Sequence, residues 1–168
     1  PAEALAVDLA VHNGLRGDVN TLGGADGLRE FRQEFGGSRA EDVAYTLRVK
    51  YQVINGLELA ASFQQQENIT QSHDLVVGGK ASAQLMTAHV DYHWQNFGLR
   101  VLGAQWDIDN AVAKATGADK LEGFYVEPSW KVMDKVGVFA RYNKWNTAAN
   151  QMGKSDDEQL NVGVNYWI

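Results

Sequence analysis

Along most of the chain apolar side chains fall at every second position, the pattern of strands with one apolar and one polar face. From Val43 to Val53 the apolar set Val43, Tyr45, Leu47, Val49, Tyr51, Val53 alternates with Ala44, Thr46, Arg48, Lys50, Gln52. Leu5, Val7, Leu9, Val11 alternate with Ala6, Asp8, Ala10, His12, and Leu57, Leu59, Ala61, Phe63 with Glu58, Ala60, Ser62, Gln64. The same period places Met86, Ala88, Val90, Tyr92, Trp94 opposite Thr87, His89, Asp91, His93. It also places Phe124, Val126, Pro128, Trp130, Val132 opposite Gly123, Tyr125, Glu127, Ser129, Lys131. Val136, Val138, Ala140, Tyr142 and then Leu160, Val162, Val164, Tyr166, Ile168 complete the series. One segment changes phase: Phe97, Leu99 and Val101 are odd, whereas Trp106 and Ile108 are even, which predicts a β-bulge near Gly103-Ala104. The chain thus reads as about eight strands of roughly ten to thirteen residues, longer than the usual five or six.

The connections carry independent information. Asn55-Gly56 is a two-residue hairpin connection of the kind that needs positive φ, and Gln95-Asn96 and Met133-Asp134-Lys135 are nearly as short. Long polar links at 14–42, 68–79, 109–120 and 147–158 alternate strictly with them. About ten residues tilted near 45° span a bilayer, and an up-and-down barrel of a bacterial outer membrane has short periplasmic turns and long outside loops. The pattern predicts an all-β, antiparallel up-and-down transmembrane β-barrel. With the short turns periplasmic, Tyr51, Tyr92, Trp94, Phe97, Trp130 and Tyr166 gather near that end as an interfacial aromatic girdle.

Composition narrows the classes. The 168 residues are 45% hydrophobic and 21% charged, too apolar for disorder. No window holds the roughly 18 consecutive apolar residues of a membrane helix. The absence of Cys excludes disulfides, thiolate metal sites and Cys nucleophiles. A net charge of -6 argues against nucleic acid as a partner. Pro1-Ala2-Glu3 opens without the charged and apolar regions of a signal peptide, so the signal has been removed or the chain begins mid-protein.

Several stretches resemble outer-membrane porins of the Gram-negative, phosphate-selective O/P type: Val43 to Tyr51 with Gly56 to Ser62, Gly123 to Lys131, Val138 to Asn143, Leu160 to Tyr166, and His12-Asn13-Gly14 after the first strand. The resemblance covers most of the chain and implies a passive channel, without cofactor or catalytic residues, integral to the bacterial outer membrane. Its implied surroundings are the lipid bilayer with lipopolysaccharide, small solutes or anions, and two further copies in a homotrimer. The final strand resembles one that continues into a further turn in the family. Residues 1–168 therefore read as a single transmembrane β-barrel domain, the C-terminal part of a larger wall of roughly 16 to 18 strands and incomplete at both ends. The rivals are a small closed structural barrel with a side-chain-filled interior and a soluble all-β protein that binds carbohydrate or protein.

In a barrel the polar parity faces the lumen. There it carries Arg48, Lys50, Arg100, Lys131 and Arg141 against Asp8, Glu58, Asp91 and Glu127. All of these but Asp8, together with His89, make the candidate pore lining, either a cation set that draws anions or opposite charges that pair across strands and keep the lumen wet. His89, Asp91 and His93 point the same way along one strand. Neighbours two apart lie about 6.5 to 7 Å from each other, which spreads them along a line and argues for lumen polarity rather than a metal site. Asp26 to Phe35 spaces Leu28, Phe31 and Phe35 as a helix does, predicting a short rim helix or an inward fold that brings Arg29 and Arg32 to the pore. Asn68-Ile-Thr70 matches a glycosylation sequon, without meaning in a bacterial outer membrane. No phosphate loop, nucleophile elbow or metalloprotease motif occurs. An outer-membrane hydrolase would need Ser, His and an orienting group on the outer parity, which offers no such set.

Overall fold

The computed structural model describes residues 4–22, 27–33, 38–71, 79–151 and 156–167. Eight strands follow one another: β1 (Ala4–His12), β2 (Ala44–Ile54), β3 (Leu57–Gln66), β4 (Ser82–Trp94), β5 (Phe97–Asp109), β6 (Lys120–Met133), β7 (Val136–Asn146) and β8 (Asp157–Tyr166). They form one sheet in chain order, each strand antiparallel to the next. β8 does not pair with β1 among the described residues. One short helix, α1 (Ala111–Thr116), lies between β5 and β6.

Register carries the alternation from strand to strand. Leu9 faces Leu47, Leu47 faces Phe63, and Phe63 faces Met86. Further down, Leu59 faces Val90 and Val90 faces Val101. A register slip of one residue would turn a whole strand inside out, so the apolar face specifies the pairing. That face stays uncovered: Leu9 is 81% and Val162 77% exposed, and Leu47, Met86, Phe124 and Val138 are exposed too. A water-soluble monomer keeps its largest apolar patch to roughly 300–600 Å², so a face of this kind running across eight strands belongs against lipid.

The band is bounded by aromatics on both sides. Trp94, Phe97 and Trp130 stand in one row near the short turns, with the Phe97 and Trp130 ring centroids 6.2 Å apart. At the other margin Phe124 and Tyr142 pair at 6.1 Å, a second girdle that the sequence reading missed. Above it the same face turns polar through Gln84, Gln105, Glu122 and Lys144.

Three two-residue turns, Asn55-Gly56, Gln95-Asn96 and Asp134-Lys135, close one end. Gly56 takes φ 86°, and the extra residue in β2 between Gln52 and Ile54 absorbs the turn's twist. A Cβ on Gly56 would sit 2.2 Å from the His93 carbonyl oxygen, because the turn is stitched to β4 by the His93 N–H donating to the Gly56 carbonyl. The Lys131 N–H donates likewise to Asn96, and the Trp167 N–H to Lys135.

The expected bulge at Gly103-Ala104 does not exist. β5 keeps an unbroken register with β4 from Phe97 to Asp109 and with β6 from Phe97 to Asp107. Trp106 and Ile108 lie on the polar parity because the long links cover that end of it. The phase change records a change of environment rather than of backbone.

A candidate pore lining

The nine charged or imidazole side chains expected to line a pore, Arg48, Lys50, Glu58, His89, Asp91, Arg100, Glu127, Lys131 and Arg141, share one face of the sheet, opposite the apolar band. Register gathers several into a transverse row, Glu58 opposite Asp91, Asp91 opposite Arg100 and Arg100 opposite Glu127. Pro128 lacks an N–H for the ladder, and β6–β7 pairing skips from Val126–Tyr142 to Ser129–Phe139. In that gap Nε and Nη2 of Arg141 both reach Oε2 of Glu127 at 2.6 Å. Side chains thus close the seam where the backbone does not.

The row is a chain of alternating charge. Arg100 Nε donates to Asp91 Oδ2 at 3.2 Å, and its Nη1 lies 3.7 Å from Glu127 Oε1. His93 Nε2 is 2.7 Å from Asp91 Oδ1, and Glu58 sits between His89 at 3.5 Å and Lys50 at 4.0 Å. The Arg141 guanidinium lies 4.6 Å over the Tyr125 ring, a partner the sequence reading did not identify. Exposed pairs of this kind contribute about 0–1 kcal/mol each. Glu127, whose side chain is only 9% exposed, differs: removing its arginines would strand a nearly buried charge at about 3–5 kcal/mol.

Opposite charges therefore pair across strands, as the second sequence reading expected. Lys131 lies 3.7 Å from Asp134 in the adjacent turn. Arg48 faces Asp8 in the ladder and forms no ion pair among the described residues. His89 and His93 turn to different carboxylates, and the described residues contain no cluster suited to a metal ion.

At the far end of the same face the four long links fold together. Val19, Leu22, Leu28 and Phe31 from the first, Ile69 and Ala81 from the second, Ala113 and Ala118 from the third and Ala148 from the fourth form one buried cluster with Ala83, Ile108 and Leu121 of the strands. These strand residues are on the polar parity, so the links fold over the charged face rather than outside the rim. The expected helix is a 3₁₀ turn over Gly27–Phe31. Leu28 and Phe31 are buried there while Arg29 and Arg32 stay exposed; Asp26 and Phe35 lie outside the described residues. Gly17 admits the Phe31 ring, which a Cβ would meet at 2.3 Å.

Buried amides satisfy the backbone beneath this cap. Gln66 accepts from the Leu15 N–H at 2.8 Å and donates to the Leu15 carbonyl at 2.9 Å. Gln71 donates to Asn13 and Asp42 carbonyls at 2.8 and 2.9 Å. Asn110 caps α1 through Val112 and Ala113 and donates to the Lys80 carbonyl. At the fourth link Lys144 lies 2.7 Å from Asp156, and this hydrogen-bonded contact, helped by the Asn146 amide, holds the Asp156 carboxyl below the usual range. The sequence reading passed over all of these amides, because a Gln at a strand end looks like ordinary surface polarity.

The sequence profile of the Gram-negative porins matches residues 6–168. No curated protein matches the chain.

Proposed function

The chain belongs to the Gram-negative porin family, and from that premise we propose that it forms the wall of a passive channel through which small hydrophilic solutes cross the outer membrane. The observation that carries this is the two-faced sheet: an apolar band edged by aromatics on one side, a chain of ion pairs on the other. Closing such a sheet with the apolar face outward leaves the charges around water. An eight-stranded barrel fills its interior with side chains, so we place these strands in a wider wall of roughly 16 to 18, in a homotrimer surrounded by the lipid bilayer and its lipopolysaccharide.

Within this channel we propose a modest anion preference carried by Arg48, Lys50, Arg100, Lys131 and Arg141. It is modest because Glu58, Asp91 and Glu127 neutralise most of that charge at contact distance, and salt screens the remainder beyond about 8 Å. The finer kinship with phosphate-selective porins rests on the strand motifs alone. Reconstituted in planar bilayers, the protein should give stepwise conductance and a small anion-directed reversal potential in a salt gradient. Neutralising Arg48, Lys50 and Arg141 together should move that potential toward cations. Absence of conductance, with solubility in plain buffer, would refute the channel; an unmoved potential would leave a general porin.

A further inference from the structure

Close to the short turns two aromatic side chains interrupt the polarity of the charged face, and they line the same pocket. Phe139 of β7 and Trp167 just after β8 both fall on the polar parity near the short turns. Each covers a glycine of the adjacent strand. A Cβ on Gly163 would sit 2.5 Å from the Phe139 ring, and one on Gly137 would sit 2.7 Å from the Trp167 indole. Neither glycine has a positive φ, so what they supply is room. One face of each ring is thereby seated on backbone. Trp167 remains 49% exposed and Phe139 only partly buried, and both line a pocket of about 270 Å³ that also contains Arg100, Glu127, Lys131 and Asn165.

A third small residue, Gly98, also lines the pocket. A Cβ on Gly98 would strike Ser129 Oγ at 2.5 Å and His93 Nδ1 at 3.2 Å, so glycine there lets two polar groups converge beside the rings. Around the aromatics stand donors and acceptors already held in place: Glu127 fixed by two arginines, Arg100 fixed by two carboxylates. Because Arg100 is paired with Asp91 and Glu127, and Lys131 with Asp134, the local charge is close to balanced. An anion would gain little here. The volume falls just below the roughly 300–1,000 Å³ of sites for drug-sized ligands, and so suits a single ring.

We propose that this pocket is a subsite for a neutral pyranose sugar, which lays the apolar C–H face of its ring on Phe139 and Trp167 and exchanges hydroxyl hydrogen bonds with Arg100, Glu127, Ser129 and Asn165. Glycine packing alone accounts for one face of each ring; the subsite accounts for the other face opening onto prearranged polar groups. The site serves transport, so it rests on the channel reading above.

Glucose is the probe and sorbitol the control, since sorbitol carries similar hydroxyls without a ring face. In planar bilayers glucose should reduce the open-channel current saturably, while sorbitol should lower it only in step with bulk conductivity. Phe139→Leu and Trp167→Ala should each raise the half-saturating glucose concentration about tenfold, the scale of losing one ring-stacking contact, with sugar-free conductance kept as the sign of intact folding. Saturation-transfer NMR of glucose with the detergent-solubilised protein reads binding without conduction. Unaltered glucose saturation in both variants, or equal effects of sorbitol and glucose, would overturn the subsite and leave the channel standing. A parent protein that does not conduct but transfers saturation to glucose would refute the channel and keep the site.

Discussion

Placing a charge at Val90 tests the assignment of the two faces most directly. Val90 lies midway between Met86 and Trp94, the margins of the apolar band on β4, and its cross-strand neighbours are Leu59 and Val101. An arginine there meets only apolar side chains and lipid. At mid-bilayer on the lipid face such a residue costs about 2–4 kcal/mol; 3 kcal/mol is roughly 150-fold in the folding equilibrium. His89→Arg, one residue away on the other face, keeps a cation beside Glu58, which His89 now contacts at 3.5 Å, and should be nearly neutral. Gln84→Arg shares the Val90 face but lies six residues along β4. At about 3.4 Å per residue and a tilt near 45° that is roughly 14 Å along the membrane normal, beyond half the height of a band about 25 Å tall. It should cost little. Equilibrium urea titrations of folding into phospholipid vesicles, followed by tryptophan fluorescence, measure all three. Equal losses for Val90→Arg and His89→Arg would refute the face assignment, and a Gln84→Arg penalty as large as that of Val90→Arg would refute the placement of the band.

Trypsin added to intact cells carrying the protein should cut at Arg29 or Lys154 and spare Lys135, as short turns in the periplasm and long links outside require; cleavage confined to Lys135 would invert the topology. Gln66→Leu leaves the Leu15 N–H and carbonyl without their side-chain partner beneath the cap and should lower stability by roughly 1–3 kcal/mol, read as an earlier unfolding midpoint with the sheet spectrum unchanged. The Asp156 carboxyl is held below its usual range by Lys144, so this tether is fully present above the unfolded carboxylate pKa and is lost as pH falls through the lowered folded value. Melting scanned from neutral to acid should therefore show the parent losing an increment that Asp156→Asn lacks at every pH; parallel curves would show that the tether contributes nothing.

Period-two alternation is a property of each strand's own backbone, since successive side chains point to opposite faces. Alternation and turn chemistry alone therefore place the strands, the sorting of turns and links, and the face on which Arg48, Lys50, Glu58, His89, Asp91, Arg100, Glu127, Lys131 and Arg141 lie. Partnership across strands is another matter. Whether Arg100 and Arg141 act as free cations depends on register between β5, β6 and β7, and only the assembled sheet brings both onto Glu127. The even-numbered Trp106 and Ile108 make the same point: local spacing reads them as a bulge, whereas the four links cover the polar face there, burying Ile108 and packing against a partly buried Trp106. Gln66, Gln71 and Asn110 are polar in any sequence reading, yet they are buried because separate links converge on them. Tertiary structure decided these features because ion pairing, burial and capping depend on atoms that chain order separates and folding brings within a few ångströms.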